Sequence, residues 1–425
     1  MRKVTIIGGG ISGLTCGWHL ANSGYKVTVL EREPIPGGLA RSFFVEGKWV
    51  PLTYHHVLSP DTFTQEYIKK FALSKELRWV SSSQVFWYDN KAYLLSKPHH
   101  IFRFKPINFF DRLRLLYLGG FVYFKKDWDD LIELDCYAWL HKMVGRQTTR
   151  LLFQSLMDIK FNMPLSSVSA AWLGRRMHQS VRNHDRYGYI RGGWQELINR
   201  MAGGIIEKKG EVICDFEVTG IGCGNAIEGR KKDGSTISLP CETVVSTVPP
   251  ALLKNILRLP EAGHASLDAV AYKGLISFVC ASKKKISRHY WSVVLKPHLI
   301  FGGFFNHTVL SPSVDNGAEN IYYFFAYLEH DDPFFDHTEE RIKDMFLDDI
   351  RKLFPDFEID WYRIFKIRFA QPVFTRGYVN PPVELGENLY LAGVYRQFPR
   401  PRTMDAAFRS GLETAQYIMN KHGAN

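Results

Sequence analysis

A glycine-rich turn close to the N-terminus, Gly8-Gly9-Gly10-Ile11-Ser12-Gly13, constrains this chain more than any other feature. It follows Val4-Thr5-Ile6-Ile7, a short apolar run rich in β-branched residues, which reads as a buried parallel strand. Leu14 to Ser23 then has helical spacing, Gly24 stops it, and Lys26-Val27-Thr28-Val29-Leu30-Glu31 reads as a second strand. The whole is a β-α-β unit opened by Gly-x-Gly-x-x-Gly. Gly8 permits the tight turn, Gly10 lets backbone approach a pyrophosphate, and Gly13 lets the helix pack close to its strand. The N–H groups of the helix's first turn, around Ser12, point at the phosphates, and the helix dipole favours their charge. Glu31 follows at the spacing of roughly 20 residues expected of a carboxylate that binds a ribose, with Arg32 beside it. A carboxylate there repels a 2′-phosphate, which disfavours NADP.

With 425 residues the chain exceeds what one hydrophobic core usually serves, so two domains are expected. Both ends carry elements of a nucleotide domain, which implies an interleaved arrangement. From Asp61 to about Met177 helical periods dominate. A helix is expected over Gln195 to Lys208, strands at Val212–Ile221, Ile237–Leu239, Leu275–Ala281 and Ile321–Tyr327, and a helix at Glu339–Leu353. Leu389 to Ala392 reads as a last strand and Asp405 to Asn420 as a last helix.

The net charge of +11 admits nucleic acid, an anionic membrane surface or an acidic substrate as partners. No arginine-rich tail or aromatic-interleaved basic stripe is present, so nucleic acid is set aside. Six scattered cysteines, Cys16, Cys136, Cys214, Cys223, Cys241 and Cys280, have no zinc-like or disulfide-framework spacing, and no metal site is expected. The apolar N-terminal run is broken by glycines and leads into the fingerprint, so it is read as a strand and not a secretory signal. No segment reaches the roughly 18 to 20 apolar residues that span a bilayer. A cytoplasmic protein is expected, with contact at the inner membrane face as an open alternative. That alternative rests on Phe110, Leu113, Leu116, Tyr117, Phe121 and Phe124, which fall near helical spacing among Arg112, Arg114, Lys125 and Lys126. Such a helix either lies on an anionic surface or packs its aromatic side inward with a solvated basic face.

The stretch from Gly8 through Glu31 to Pro36-Gly37-Gly38-Leu39-Ala40-Arg41-Ser42 resembles the extended fingerprint of the superfamily that holds protoporphyrinogen oxidases, phytoene desaturases and flavin amine oxidases. The resemblance implies FAD. It places Gly37, Gly38, Leu39 and Ala40 against the flavin and Arg41 beside the pyrophosphate or the ring, and glycines there leave room for a bulky planar cofactor. Arg191 to Leu197, Phe216-Glu217-Val218 and Val245 to Pro250 resemble further blocks of the same family, with the backbone of Val218 at the adenine. Leu389 to Val394 and Arg402 to Ala407 resemble its second flavin contact, which assigns Gly393 to the ribityl phosphate and Met404 to a helix N-terminus at the N1–O2 edge. Val394 departs from the pattern, since many relatives carry Asp there.

Pro51-Leu52-Thr53-Tyr54-His55-His56 follows the glycine doublet and resembles the proline-histidine stretch of UDP-galactopyranose mutases. His56 is the candidate to position substrate or to donate a hydrogen bond to reduced flavin, against the alternative of two satisfied loop histidines. The register of Val270 to Ser277 places Ser277 where lysine-dependent amine oxidases carry a lysine, with Lys273 aimed at the same face by strand alternation. The last cysteine, Cys280, precedes the Gly393 block, so FAD is expected to be non-covalent.

The implied fold is α/β: a discontinuous Rossmann-like FAD domain of residues 1–60, 186–252 and 385–425, and a substrate domain of helices plus a sheet from 61–185 and 253–384. The implied function is hydride removal from an apolar or ring-shaped small molecule, with His56 and Arg41 as catalytic candidates and oxygen or a quinone as electron acceptor. The alternative is a redox-neutral sugar-nucleotide mutase, for which Arg396, Arg400 and Arg402 supply cations.

Overall fold

In the computed structural model, residues 2–423 are described except 90, 223–225, 258–264, 296–298 and 312–318; Cys223 lies outside the described residues. The strand Lys3–Ile7 is central to a six-stranded sheet, flanked by Lys26–Leu30 and Thr243–Ser246. Both neighbours run parallel to it, with Val4 opposite Val27 on one side and Thr243 on the other. Glu211–Ile213 extends the sheet at one edge, and Leu389–Leu391 with the antiparallel Glu384–Gly386 extends it at the other. Val4, Ile6, Val27, Val29, Val245 and Leu391 are all buried, because a central parallel sheet is covered on both faces and needs apolar residues at every position.

The helices Ile11–Asn22, Trp194–Glu207 and Met404–His422 pack together beside this sheet. Two glycines set the spacing. A Cβ on Gly17 would meet Ile205, Ile6 and Val27 at 3.1 to 3.4 Å, and one on Gly411 would lie 2.4 Å from the Ser12 carbonyl oxygen. The first and last helices therefore touch backbone to backbone, which joins the two ends of the chain.

A second, seven-stranded sheet runs in the order Trp361–Pro372, Tyr272–Ser282, Asn320–Glu329, Gly303–Asn306, Trp291–Val294, Val85–Tyr88 and Lys91–Leu94. Tyr272–Ser282 is buried on both faces and serves two cores. Ile276, Phe278 and Cys280 pack with Ile342, Phe346 and Ile350 of the helix Glu339–Leu353, while Leu275 and Val279 join the main core.

The segment 61–177 departs from the helical reading. It holds the helices Thr62–Lys70, Phe109–Phe124, Cys136–Thr148 and part of Ala170–Arg182, but also three strands. Leu77–Ser81 pairs with Arg186–Ile190, and Val85–Tyr88 pairs in parallel with Trp291–Val294. Partners more than 100 residues away decide the state of these short runs, and a local window does not contain them.

The helix Phe109–Phe124 divides its apolar residues, with Leu116 and Phe121 packed against the core. Its buried face is Asp111, Leu115, Leu118 and Val122. Phe110, Tyr117 and Phe124 face outward, exposed by 73%, 65% and 78%.

The close strand-to-helix contact at the first turn has a measurable consequence. A Cβ on Gly13 would sit 2.0 Å from the Gly8 carbonyl oxygen, a backbone atom that cannot swing aside. Gly13→Ala is expected to cost about 1–3 kcal/mol in urea unfolding, the usual range for overpacking. Gly203, inside Trp194–Glu207 with nothing within 4 Å of its Cβ position, should instead gain roughly 0.5–1 kcal/mol as Ala. Equal midpoints for the two variants would sink this account of the turn.

Candidate active site

One cavity of about 1740 Å³ runs from the carboxyl ends of the parallel strands to the face of the seven-stranded sheet. At its deep end the chain leaves Ile7 through Gly8, whose φ of +103° and N–H bond to the Leu30 carbonyl (2.8 Å) make the tight turn. The helix Ile11–Asn22 starts at Gly10 with no side-chain cap. Its first N–H groups have no partner within the helix, and Gly10, Ile11 and Ser12 line the cavity. The Ser12 hydroxyl donates to the Ala407 carbonyl (3.0 Å), which ties this helix start to the last helix.

Glu31 is buried, and both carboxylate oxygens are held by backbone. Oε2 accepts from the Gly9 N–H at 2.8 Å and Oε1 from the Glu33 N–H at 3.0 Å. The carboxylate is thus oriented before any ribose arrives. Gly37, at φ +135°, donates its N–H to the Gly9 carbonyl (2.8 Å), and a Cβ on Gly38 would lie 3.1 Å from the Gly10 Cα. The two glycine loops lie back to back, and a side chain on either would close the gap between them. Arg41 pairs with Glu33, and Arg32 reaches the same carboxylate at 3.5 Å from a more exposed position.

Gly8, Gly10, Ser12, Glu31, Arg32, Gly37 through Arg41, Val218, Gly393, Met404 and His56 all line this cavity. Gly13 does not, in keeping with its packing role. Gly393 is held by an N–H bond to the Ser410 hydroxyl (2.8 Å), and a Cβ there would lie 2.5 Å from the Tyr395 ring. Met404 opens the helix Met404–His422, so that helix's positive end also faces the cavity.

The histidine pair splits. His55 Nδ1 lies 3.0 Å from the Thr53 carbonyl oxygen, and burial lowers its pKa to about 4, so it is neutral at pH 7. His56 Nδ1 lies 3.1 Å from the Tyr290 hydroxyl. Neither candidate from Tyr272–Ser282 lines the cavity: Ser277 donates to the Leu52 carbonyl (2.9 Å) and Lys273 is ion-paired with Glu329, while Tyr272 and Leu275 reach the wall. Of the three C-terminal arginines only Arg402 lines the cavity; Arg396 donates to the Pro381 and Leu391 carbonyls instead. Cys280 faces the second core, where burial raises its pKa.

Sequence reasoning missed Arg176, Trp172 and Tyr327, which line the wider end of the cavity. The only local signal was Arg176 lying two residues beyond the fully buried first turns of Ala170–Arg182.

The sequence matches the family described as flavin containing amine oxidoreductase over residues 11–419. The chain belongs to that family. Membership makes the cofactor a flavin and the class of chemistry oxidoreduction. Among curated relatives of this flavin amine oxidoreductase, an L-amino-acid oxidase of Daboia russelii is 37% identical over 89 residues, which is 20% of this chain and 18% of the relative. The chain thus matches less than a fifth of the length of such relatives. Similar solved structures include a protein assigned as a protoporphyrinogen oxidase from Exiguobacterium sp. 255-15, with a TM-score of 0.79, 13% identity and 99% of both chains covered. A reduced UDP-galactopyranose mutase has a TM-score of 0.77 at 15% identity, covering 100% of this chain and 96% of the other. At such identities they share the fold.

The residues present fit FAD: a phosphate-facing helix start, an oriented ribose-binding carboxylate, and a glycine doublet that leaves a gap for a flat ring. A Glu31 carboxylate that takes up the ribose would make two charge-assisted bonds to its hydroxyls, each worth about 1.5–3 kcal/mol. Titration of apoprotein with FAD should therefore give Glu31→Ala an affinity weaker by about 100-fold or more. An affinity within a factor of about two of wild type would show that Glu31 does not hold the ribose.

Proposed function

We propose that this flavoprotein removes hydride from a small molecule with an apolar or ring-shaped body, in the manner of the protoporphyrinogen oxidases and desaturases that its fingerprint resembles. Segments 1–60, 186–252 and 385–425 hold FAD; segments 61–185 and 253–384 hold the substrate. Glu31 binds the ribose, Gly8, Gly10, Ser12 and Gly13 serve the pyrophosphate turn, Val218 meets the adenine, and Arg32 and Arg41, both reaching the Glu33 carboxylate, stand beside the pyrophosphate. Gly37 to Ala40, Gly393 and Met404 border the ring. When bound, FAD accepts the hydride and passes electrons to oxygen or a quinone.

The observation that carries this reading is the cavity wall beside Tyr272–Ser282, where no lysine of that strand enters: Lys273 is committed to Glu329 and Ser277 to a backbone carbonyl. Simple amines are then poorer substrates than rings or polyenes. Aromatic and aliphatic side chains such as Trp172, Phe153 and Met157 form the substrate end, and Leu39 projects into it as an apolar surface. His56, which also lines the cavity, orients the substrate and is held in turn by Tyr290. The second reading, a redox-neutral sugar-nucleotide mutase, is favoured by one feature, the cationic Arg402 in the cavity.

Anaerobic mixing of oxidised holoprotein with substrates separates the two. Bleaching of flavin absorbance by a dihydro-aromatic or polyene compound is expected. No bleaching, together with isomerisation of a sugar nucleotide only after dithionite reduction, would replace the oxidoreductase reading with the mutase one.

The protein is also proposed to be cytoplasmic and to rest on the inner membrane face through the helix Phe109–Phe124. Among the described residues no helix is long and apolar enough to cross a membrane. Phe110, Tyr117 and Phe124 are exposed, and Arg103, Lys105 and Lys126 are exposed near them. Burial of each ring in an interface stabilises by about 1.5–3 kcal/mol at most. Sedimentation with vesicles containing anionic lipid should fall at least tenfold in affinity on replacing the three aromatics by Ser; unchanged sedimentation removes the proposal.

A further inference from the structure

Two arginines from distant parts of the chain line the substrate end of the cavity: Arg176 in the helix Ala170–Arg182, and Arg402 just before Met404–His422. Among the described residues neither has a carboxylate within ion-pair distance, although eight other arginines of the chain do. The Arg176 Nη1 donates to the side-chain carbonyl of Gln179 at 2.6 Å. Arg402 donates one N–H to the Pro372 carbonyl, while its Nε is buried without a hydrogen-bond partner.

The plane of Arg402 is set by aromatic contact, with its guanidinium carbon 4.2 Å from the centroid of Phe161 and 4.7 Å from that of Trp172. Such stacking fixes a guanidinium while leaving its edge free for hydrogen bonds. Hydroxyls complete the neighbourhood: Tyr54 and Tyr327 bond each other at 2.8 Å, and Gln371 Nε2 donates to Tyr327 at 3.1 Å. Arg402, Tyr54, Tyr327 and Gln371, with Arg176, line the same cavity.

This arrangement is costly for the protein alone. Burial lowers the pKa of both arginines, that of Arg402 to about 9, and Arg176 adds like-charge repulsion on Arg402. The carboxyl that acts on Arg176 is Asp61, and it is engaged elsewhere, accepting from the Leu58 N–H at 2.8 Å and from Gln179 Nε2 at 2.6 Å. Burial raises Asp61 to about 7, so much of its balancing charge is absent near neutrality. Two desolvated cations facing one cavity are stabilised by an anion that enters it, and the guanidinium fork matches carboxylate or phosphate oxygens.

We infer that Arg176 and Arg402 form an anion-recognition site, so that the substrate carries a carboxylate or a phosphate on an otherwise apolar body. The inference rests on reading this end of the cavity as the substrate site. It orients the molecule: the anionic group lies between the two arginines, and the apolar part extends along Trp172 and Met157 toward the flavin side.

The test is direct binding to flavin-loaded protein, followed by calorimetry and by the visible spectrum of the flavin. Three ring compounds of similar size serve as probes: benzoate, phenyl phosphate and neutral benzamide. At least one anion is expected to bind tenfold or more tightly than benzamide, and whichever anion binds tighter identifies the group. Arg176→Gln and Arg402→Gln should each weaken that anion by about tenfold or more and leave benzamide unchanged, whereas Arg402→Lys should retain part of the affinity. Anions bound no better than benzamide by wild type, or bound as tightly by both Gln variants as by wild type, would overturn the inference. If a Gln variant fails to fold, the wild-type comparison of the three probes still decides. Binding is read without turnover, so a failure here is separate from a failure to bleach the flavin.

Discussion

The contact between two glycine loops governs the rest of this structure. Gly37 donates to the Gly9 carbonyl, Gly38 leaves a Cβ-sized space against Gly10, and Glu31 accepts from the Gly9 N–H between them. Those bonds hold the start of the first helix open toward the cavity while bringing the second loop within reach of the same ligand. A side chain at these positions would separate the loops, and the cofactor cleft would lose its floor. The cost is backbone in a conformation that few residues adopt, at Gly8 and Gly37, which is why glycine stands there.

From that floor the chain builds outward by joining distant pieces. The last helix is locked to the first by Gly411 against Ser12 and by the Ser12 hydroxyl on Ala407. That lock puts Met404 and Gly393 opposite the fingerprint, and it carries Arg402 to the boundary between the cofactor region and the substrate end. The strand Tyr272–Ser282 does the equivalent work for the second sheet. Its alternate residues feed two cores, and its cavity end presents Tyr272 and Leu275 while Lys273 and Ser277 are tied off. The chemistry open to the cavity follows from which side chains are left uncommitted.

Electrostatics divides the cavity into two ends. At the cofactor end, positive helix termini face the cavity and Arg41 is balanced by Glu33. At the substrate end, Arg176 and Arg402 have no such partner among the described residues, and the buried Asp61 carboxylate is engaged by Leu58 and Gln179. A neutral His55 adds no charge between them. An apolar wall lowers the local dielectric and makes each uncompensated charge count for more.

The sequence by itself determined the nucleotide half. The spacing of Gly8, Gly10, Gly13 and Glu31 acts within one β-α-β unit, where Gly8 meets Leu30, Gly13 meets Gly8 and Glu31 meets Gly9, and the strands and helices read there lie within a few residues of those observed. The helix Glu339–Leu353 and the strand around Leu275–Ala281 were legible for the same reason, since their apolar periods are long and regular. Only the tertiary structure decided the rest. Val85–Tyr88 is a strand because Trp291–Val294 lies beside it, and the helix Phe109–Phe124 leaves Phe110, Tyr117 and Phe124 outside because Leu115, Leu118 and Val122 fill the space beneath. Arg176 and Arg402 form a pair although 225 positions separate them. No local pattern encodes such a pairing, because the energy that places the two charges together comes from packing of the helices and rings that carry them.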